Sequence, residues 1–503
     1  MRVVRSVRVV REGRHGDVDG ELRGTGLRPD RVWGESTLGL RSLLVLVIVA
    51  GIGAAGVFAW ARLESAAPVL TGPDAVLLGN EPREIEISVS EEGMGLKSWA
   101  AYLVTPSGET PLFADAIRGS LLEGSREQER RVSLSLDPGA LGLEDGVFRL
   151  RIEAEDWSWR ANRGELEIPI EVDRIAPGVS VRSGLTYVDQ GGSAAVVYEL
   201  SEEVARDGVE VIGEEGISFY PGYPLPGSDS ESGPPGAAAS GAPDRIRRVA
   251  IFAVDRNAGA DASIAVVAED RAGNESRARW NVVLRPRVFP RGNVNLPASF
   301  LRDVVPDLAR QAGIDATDPV AAFERINTEM RSANEQAIRA ALAESAPRPL
   351  WSGGFEQMAS SKVTSRFAEA RVYVVEGRPV SGAIHYGYDL ASLARAEITA
   401  ANSGIVRHAG DLGIYGNCVL VDHGLGVASL YGHLSRIDVR EGSEVRKGER
   451  LGLSGATGLA GGDHLHFAIL VGSTYVDPVE WWDAKWVREH ITAEIAPESS
   501  PSR

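Results

Sequence analysis

At residues 416–435 the chain reads GNCVLVDHGLGVASLYGHLS, in which short apolar runs alternate with glycine. Runs of this length and composition, bounded by glycine turns, are typical of β-strands. The same glycine-punctuated, β-rich character extends from Trp351 to Trp482. We therefore predict a C-terminal β domain over residues 350–485, followed by a tail at 486–503.

This C-terminal segment carries a set of histidines and one carboxylate. His385 and Asp389 form an HxxxD unit, His433 lies in LYGHL, and His464 and His466 form an HxH unit. In a strand, residues i and i+2 lie on one face about 7 Å apart, so both imidazoles of HxH can share a site. Catalytic zinc sites use three nitrogen or oxygen ligands and leave one position open. The pattern predicts a zinc site made of two histidines and the aspartate, with the other two histidines free for proton transfer. It leaves open which member of HxH binds the metal.

Six motifs follow one another in this segment. They are HxxxD at 385–389, GNCVLVDHG at 416–424, SLYGHLS at 429–435, VxxGxxVxKG at 439–448, GxTG at 455–458 and HLHF at 464–467. Their order resembles that of the lysostaphin/LytM-type zinc peptidases, over roughly residues 381–478. The resemblance implies a small antiparallel β fold with a narrow groove, and hydrolysis of peptide bonds in peptidoglycan stems or bridges.

The resemblance also divides the five site residues by role. It makes His385, Asp389 and His466 the ligands of one Zn²⁺, and His433 and His464 the catalytic pair. Some relatives have lost their ligands and only activate cell-wall amidases, so a non-enzymatic peptidoglycan-binding or amidase-activating module is the alternative. All five residues are present here, which favours the enzyme. A zinc peptidase acting on a protein substrate, with the upstream domains as recognition arms, is a third hypothesis.

The remaining histidines, the cysteine and the nearby tyrosines receive structural interpretations. We expect His408 and His423 to brace strands or turns, His15 and His490 to be solvated, and Cys418 to be buried in a strand. Any one of three tyrosines beside the motifs can line the cleft, namely Tyr386, Tyr388 and Tyr431.

Composition limits the partners of the chain. The formal net charge of −17 argues against nucleic acid, because phosphate binding requires a basic surface. The single cysteine excludes an internal disulfide framework and a cysteine-based zinc knuckle. Any metal site must therefore use histidine and carboxylate ligands.

Residues 42–61, SLLVLVIVAGIGAAGVFAWA, contain no charge and are long enough to cross a bilayer as a helix. The preceding tail, 1–41, carries nine arginines against six acidic residues, which predicts a cytoplasmic N-terminus. We expect an uncleaved, single-pass anchor in a bacterial inner membrane, with a cleaved signal peptide as the competing interpretation. The rest of the chain would then be periplasmic or otherwise extracytoplasmic.

The middle of the chain is predicted to be β-rich and then helical. Alternating runs separated by turn residues at 68–172 and 174–286 indicate two immunoglobulin-like β-sandwiches, and Ala-Glu-Asp recurs at 154–156 and 268–270. The tract 221–244 is rich in Pro, Gly, Ser and Ala and predicts a mobile loop.

Residues 296–346 are predicted to be helical, with a short helix over 300–309 and a longer one capped by Asp318 and Pro319. The longer helix has one apolar stripe, formed by Phe323, Ile326, Met330, Ala333 and Ala337. The predicted fold class is thus a multidomain, mainly β protein: a transmembrane helix, two sandwiches, a helical segment and an antiparallel β domain.

Overall fold

The computed structural model describes residues 7–9, 40–214, 216–225, 245–259 and 261–495. Apart from 7–9 and 40–41, the predicted tail 1–41 lies outside this part of the chain. The same holds for residues 226–244 of the predicted mobile loop and for residues 496–503.

The chain is mainly β and divides into two compact units. The first contains residues 1–175 and 271–274, and the second contains 176–270 and 275–503.

The first unit contains an apolar helix, α1 (Leu40–Arg62). Its segment Leu43–Arg62 is long and apolar enough to cross a membrane, and none of it is buried in the protein. These bounds match the predicted span 42–61. Whether the helix is an anchor or a signal peptide stays a prediction.

The rest of the first unit consists of short strands and one helical turn. They are β1 (Val7–Val9), β2 (Val69–Thr71), β3 (Val76–Leu78), β4 (Arg83–Ser90), β5 (Leu96–Thr105), β6 (Gly108–Ala116), β7 (Glu129–Leu136), α2 (Pro138–Leu141), β8 (Gly146–Asp156) and β9 (Arg163–Val172).

These strands form two sheets, in the orders β1-β7-β4-β2 and β3-β9-β8-β5-β6. Burial alternates along β4, where Ile85, Ile87 and Val89 are buried and their neighbours face outward. Apolar residues from both sheets share one core, including Leu134 of β7 and Ile152 of β8. Alternation with a shared core is the arrangement of a β-sandwich, and the immunoglobulin-like assignment of this region stays a prediction.

The second unit opens with another β region. Its strands are β10 (Val179–Val181), β11 (Thr186–Asp189), β12 (Ser193–Leu200), β13 (Arg206–Gly213), β14 (Gly216–Pro221), β15 (Tyr223–Pro224), β16 (Ile246–Ala253), β17 (Ser263–Glu269), β18 (Glu275–Ala278) and β19 (Val282–Arg285). They form the sheets β10-β12-β16-β15 and β14-β13-β17-β18 and the parallel pair β11-β19.

The two β regions repeat a pattern. The Ala-Glu-Asp copies lie at the ends of β8 and β17, and both aspartates, Asp156 and Asp270, are buried. In each region an early strand pairs in parallel with a late one, β3 with β9 and β11 with β19. The first residues of the predicted mobile loop at 221–244 are instead part of the sheet, because Tyr223 and Pro224 pair with β16.

A helical segment follows the strand β20 (Arg291–Asn295). It contains α3 (Ala298–Asp303), α4 (Val305–Ala312), α5 (Pro319–Arg325), a π-helical turn (Ile326–Met330) and α6 (Arg331–Ala341). Asp318 caps α5 by accepting hydrogen bonds from the N–H groups of Val320 and Ala321, as predicted. The short helix predicted at 300–309 is split into α3 and α4 at Val304.

The predicted apolar stripe is correct for Phe323, Ile326 and Met330, which are buried, and wrong beyond them. Ala333 and Ala337 are exposed, while Asn334 and Ile338 are buried in their place. A π-helical turn contains more residues per turn than an α-helix. The turn at 326–330 therefore moves the buried face of α6 one residue along the sequence.

This register makes Ile338 a core residue and Ala337 a surface residue. Ile338→Ala is expected to lower the free energy of unfolding by about 2–5 kcal/mol, because it leaves a cavity. Ala337→Ser should change it by less than about 0.5 kcal/mol. Chemical unfolding followed by tryptophan fluorescence measures both values, and the reverse ranking would contradict the register.

The C-terminal β domain contains many short strands and ends in short helices. The elements are β21 (Lys362–Ser365), β22 (Glu369–Val375), β23 (Arg378–His385), β24 (Tyr388–Ala391), β25 (Glu397–Thr399), β26 (Gly404–Asp411), a 3₁₀ turn (Gly413–Tyr415), β27 (Asn417–Gly424), β28 (Val427–Leu434), β29 (Arg436–Ile437), β30 (Glu444–Val445), β31 (Arg450–Leu453), β32 (Leu465–Val471), β33 (Thr474–Val476), α7 (Pro478–Trp482), α8 (Ala484–Trp486), a π-helical turn (Val487–Thr492) and α9 (Ala493–Ile495).

The central sheet of this domain has the order β21-β24-β32-β28-β27-β26-β30, with β33 paired to β32. All of its strand pairs are antiparallel, as the sequence predicts. Two smaller sheets, β20-β22-β23 and β25-β31-β29, complete the domain. The strands β27, β28 and β32 are buried along almost their whole length and form its centre.

One hydrophobic core runs through the whole second unit. It joins the regions predicted as separate domains at 174–286, 296–346 and 350–485, and whether each folds alone stays a prediction. The predicted tail at 486–503 is part of this core as far as Ile495, because Val487, Ile491 and Ile495 are buried.

Glu480 of α7 lies against the second β region, where its carboxylate accepts a hydrogen bond from the Ser193 N–H at 3.1 Å. Burial raises the pKa of Glu480 from 4.5 to about 8. The folded chain therefore holds this proton more tightly than the unfolded chain. The resulting stabilisation is complete below the unfolded pKa and is lost as the pH rises through the folded one.

Glu480→Gln imitates the protonated acid and should remove this pH dependence. Near about pH 9 we expect the variant to exceed the parent in unfolding free energy by about 2 kcal/mol, less than the full shift because the side chain is partly exposed. The difference should shrink towards about pH 5. Urea unfolding at both pH values tests this, with the exposed Glu489→Gln as control. Equal pH dependence in the two variants would contradict the prediction.

Candidate metal centre

His385 and Asp389 lie on consecutive strands of the chain, β23 and β24. His385 is the last residue of β23, and its Nδ1 donates a hydrogen bond to the Arg366 carbonyl at 3.0 Å. This bond turns Nε2, with its lone pair, towards the Asp389 Oδ1 at 2.9 Å. Asp389 is the second residue of β24, and both side chains are buried.

His466 completes a group of three. It lies directly opposite Asp389 in the β24–β32 pair. Its Nδ1 lies 3.0 Å from the Asp389 Oδ1 and 3.0 Å from the His385 Nε2. One ligand atom from each of the three residues thus falls within 4.8 Å of the others. Gly387 permits this packing, because a Cβ there would lie 2.7 Å from the His466 ring.

The donor set fits a zinc ion. Burial lowers the pKa of His466 to about 4, so its imidazole is neutral and its lone pair is free. Burial works against ionisation of Asp389, but His385, His464 and His466 together outweigh it and hold the pKa of that carboxyl well below its ordinary value. Tetrahedral zinc with bonds of about 2.0–2.1 Å would set its ligand atoms about 3.3 Å apart. The observed separations differ from that by only a few tenths of an ångström.

His433 and His464 lie beside this group. The Nδ1 of His433 donates to the Thr457 carbonyl and that of His464 to the Gly462 carbonyl, both at 2.8 Å. Each ring is therefore held through its Nδ1, and its Nε2 takes no part in that bond. The ring centroids are 4.8 Å apart, and the His464 Nε2 lies 3.6 Å from the Asp389 Oδ1.

The two rings differ in environment. Burial, together with His464 and His466, lowers the pKa of His433 to about 3. Burial opposes protonation of His464, but the Asp389 carboxylate and the Gly462 carbonyl together outweigh this and raise its pKa. His433 also has a φ of +64°, in the left-handed region that residues other than glycine adopt only where the surroundings require it.

Arg371 is a neighbour of the site that the sequence analysis missed. Its Nη2 donates to the Asp389 Oδ2 at 3.0 Å, and its Nε donates to Glu369. The bond from Arg371 to Asp389 occupies Oδ2, the carboxylate oxygen that does not face the histidines, so Oδ1 is left for a metal. Nothing in the local sequence singles this arginine out, because the contact depends on how β22 packs beside β24.

The five residues line a cleft of about 490 Å³. One wall comes from the helical segment and the strand before it, with Asn295, Ser299, Phe300 and Asp303 among the lining residues.

The tyrosines at the cleft are not those named from the sequence. Tyr373 and Tyr415 line it, whereas Tyr386, Tyr388 and Tyr431 are not among its lining residues. Tyr386 stacks on Tyr475, Tyr388 packs against Trp482, and Tyr431 is buried and bonded to the Ala401 N–H.

Tyr415 is positioned by the helical segment. Its hydroxyl donates to the Glu335 carboxylate of α6 at 2.8 Å, and its ring lies 5.6 Å from that of His466. The neighbouring Ile414 N–H donates to Asn334. The helix thus fixes the 3₁₀ turn that borders the metal ligands.

The other histidines have structural surroundings. His423 is fully buried between the Ser403 carbonyl and the Ser429 hydroxyl, and His408 faces Glu441 at 3.3 Å, so both brace the sheet as expected. Cys418 is buried, also as expected. His490 is not solvated as predicted but half-buried, because it stacks on Trp486. His15 lies outside the described residues.

Comparisons with known proteins concern the C-terminal domain. The model of peptidase family M23 matches residues 383–478. The DD-carboxypeptidase/endopeptidase Mpg of Neisseria meningitidis serogroup B is 38% identical over 96 residues, covering 19% of this chain and 22% of that protein. The peptidoglycan DD-endopeptidase ShyA of Vibrio cholerae serotype O1 is 34% identical over 110 residues, covering 22% and 25%.

Among solved structures, a zinc-containing peptidase from Vibrio cholerae is 16% identical with a TM-score of 0.24, covering 71% of this chain and 86% of that one. The chain matches about a quarter or less of the length of the curated relatives named above.

Proposed function

Because residues 383–478 form a domain of peptidase family M23, we propose that this chain is a zinc-dependent endopeptidase that hydrolyses peptide cross-links of peptidoglycan. The observation that carries the proposal is the convergence of His385, Asp389 and His466 on one point in a cleft. Relatives named as peptidoglycan DD-endopeptidases supply the substrate class.

His385, Asp389 and His466 would hold the metal, through Nε2, Oδ1 and Nδ1 respectively. Bound zinc supplies Lewis-acid polarisation of the scissile carbonyl and acidifies water. His433 and His464 present Nε2 beside this point. One of them accepts a proton from the attacking water. The other stabilises the negative charge that develops on the oxygen of the scissile carbonyl. The buried cleft strengthens each of these interactions, since its effective dielectric is lower than that of water.

We also propose that α1 anchors the enzyme in the inner membrane, with the N-terminus in the cytoplasm. A spanning helix would place residues 7–9 and the strand β7 on opposite sides of the bilayer. The anchor therefore requires that the pairing of Val7 with Leu134 is absent from the inserted chain. Protease treatment of sealed membrane vesicles tests the topology, because the tail should be cleaved only from the cytoplasmic face.

The test of the catalytic proposal uses the full chain purified in detergent. Zinc content is measured, and cross-linked muropeptides are incubated with the chain and followed by mass spectrometry. We expect one zinc per chain and loss of cross-linked species, both abolished by a chelator and restored by added zinc. Absence of zinc overturns the proposal. Zinc without cleavage of any cell-wall peptide favours the binding or amidase-activating module, and cleavage restricted to protein substrates favours the third hypothesis.

Arg371 should support the centre without touching the metal. Arg371→Met keeps the length of the side chain but removes the bond to the Asp389 Oδ2. We expect zinc affinity to fall by about 10–100-fold, the usual cost of losing a partner that orients a ligand. Competition against a chromophoric chelator measures the affinity, with the exposed Arg378→Met on the adjacent strand as control. Unchanged affinity in Arg371→Met would contradict this role.

A further inference from the structure

The last turn of α1 is docked onto the first β unit. The Arg62 Nε donates to the Leu122 carbonyl at 2.8 Å, and the Trp159 N–H donates to the Arg62 carbonyl at 2.9 Å. The rings of Phe58 and Trp159 meet edge to face, with centroids 6.4 Å apart. The helix end is thus held from two sides, by the loop at 120–124 and by the turn after β8.

The residues that follow the helix are also fixed. The Glu64 carboxylate accepts a hydrogen bond from the Met94 N–H at 2.7 Å, and the Glu64 carbonyl accepts one from the Asn162 side chain at 3.1 Å. The connection between α1 and the β unit is therefore anchored rather than free. The position of the unit along the helix axis follows from these contacts.

Around this junction the β unit exposes large apolar side chains. Leu121 and Leu122 are 54% and 61% exposed, and Trp159 is 43% exposed. The loop that carries the two leucines is closed by the Gly124 N–H bond to the Ser120 carbonyl at 2.7 Å, so they project from a tight tip. Arg118 and Arg160, both exposed, flank the patch. Large apolar side chains exposed together in this way mark an interaction surface.

The helix itself gives the depth of this patch. The apolar segment Leu43–Arg62 has 20 residues, which as a helix span about 30 Å, the thickness of the hydrocarbon core. Phe58 to Arg62 then lie at the boundary between acyl chains and headgroups. The Trp159 ring and the Leu122 carbonyl, which contact this turn, lie at the same level. Tryptophan is favoured at that boundary, and arginine is favoured near anionic headgroups.

We propose that Leu121, Leu122 and Trp159 insert into the interface of the membrane that α1 spans, so that the first β unit lies on the bilayer surface. This inference rests on the proposed anchor and not on the proposed catalysis. It adds a second attachment to the span, made by the globular unit itself. The partner is a lipid surface, recognised by apolar insertion together with the flanking arginines.

The test places a fluorescent label at the tip of the loop. Leu121→Cys and Leu122→Cys are made in the full chain, in which the native Cys418 is fully buried, and the unsubstituted chain gives the labelling background. An environment-sensitive fluorophore is attached, and the chain is reconstituted in vesicles of phosphatidylethanolamine and phosphatidylglycerol. Nitroxide lipids labelled at the headgroup or along the acyl chain report depth.

The matched control is Val147→Cys, which is 73% exposed in the same unit. Val147 lies near the start of β8, whereas the turn that carries Trp159 follows Asp156 at its end. At the usual rise of a strand, Val147 and Asp156 are about 30 Å apart. We expect labels at 121 and 122 to be blue-shifted and quenched several-fold more strongly than the label at 147. Solvent-like emission at all three positions, in chains that float with the vesicles, overturns the inference. Failure of the chain to float overturns the anchor instead.

Discussion

His466→Ala should lose zinc and hydrolysis together, because it removes one of the three ligand atoms that converge within 4.8 Å. Two remaining ligands do not meet the count that catalytic zinc sites require. We expect zinc affinity to fall by more than the roughly 10–100-fold that loss of a supporting residue costs, and turnover to fall to background. Metal analysis and muropeptide release on the same preparation measure both effects.

The matched control for His466→Ala is His408→Ala, which removes a half-buried histidine of the same domain that faces Glu441. This control should retain zinc and activity. One zinc per chain in His466→Ala would contradict the ligand assignment. A variant that fails to fold is recognised by loss of its unfolding transition, and His466→Phe, which keeps an aromatic ring but has no ligand atom, then replaces it.

His464→Ala should separate chemistry from metal binding. Its Nδ1 is bonded to the Gly462 carbonyl and its Nε2 faces the cleft, but the three ligand atoms are complete without it. We expect zinc content near that of the parent and a fall in turnover of about 10²–10⁴-fold, the usual contribution of one positioned proton-transfer group.

His433→Ala is predicted to behave in the same way, since the two rings lie side by side at 4.8 Å. Comparing the pH profiles of the two single variants shows which ring accepts the proton, because only loss of the base removes the acidic limb. Equal loss of metal in His464→Ala and His466→Ala would contradict the division of roles within HxH.

Short-range spacing was sufficient to predict a group of residues that the structure brings together. Residues two apart in a strand share a face, and His464 and His466 both approach Asp389, although β32 itself begins only at Leu465. The resemblance carried by the order of the motifs predicts that His466 is the ligand, a choice that strand geometry alone leaves open. Similarly, Asp318 and Pro319 specify a helix start through a local capping bond, and residues 42–61 are apolar enough to specify a helix of spanning length.

The helical segment shows where periodicity failed. The positions Phe323, Ile326 and Met330 follow an α-helical stripe, but the π-helical turn moves the next buried positions to Asn334 and Ile338. Those positions are the ones that contact the C-terminal domain, as the Asn334 bond to Ile414 shows. A turn of this kind is selected by tertiary contacts, so a regular period along the chain does not reveal it.

The sequence by itself determined which histidines and which carboxylate come together in the cleft, the helix long enough to span a membrane and the mainly β character of the chain. Each of these depends on neighbours within a few residues, or on motifs kept in order. Only the tertiary structure decided that Arg371 holds the outer oxygen of Asp389, that the helical segment lines one wall of the cleft, and that the Leu122 carbonyl meets the end of α1. These contacts join residues 18 to about 170 positions apart, and such pairs depend on how strands and helices pack, which local spacing does not encode.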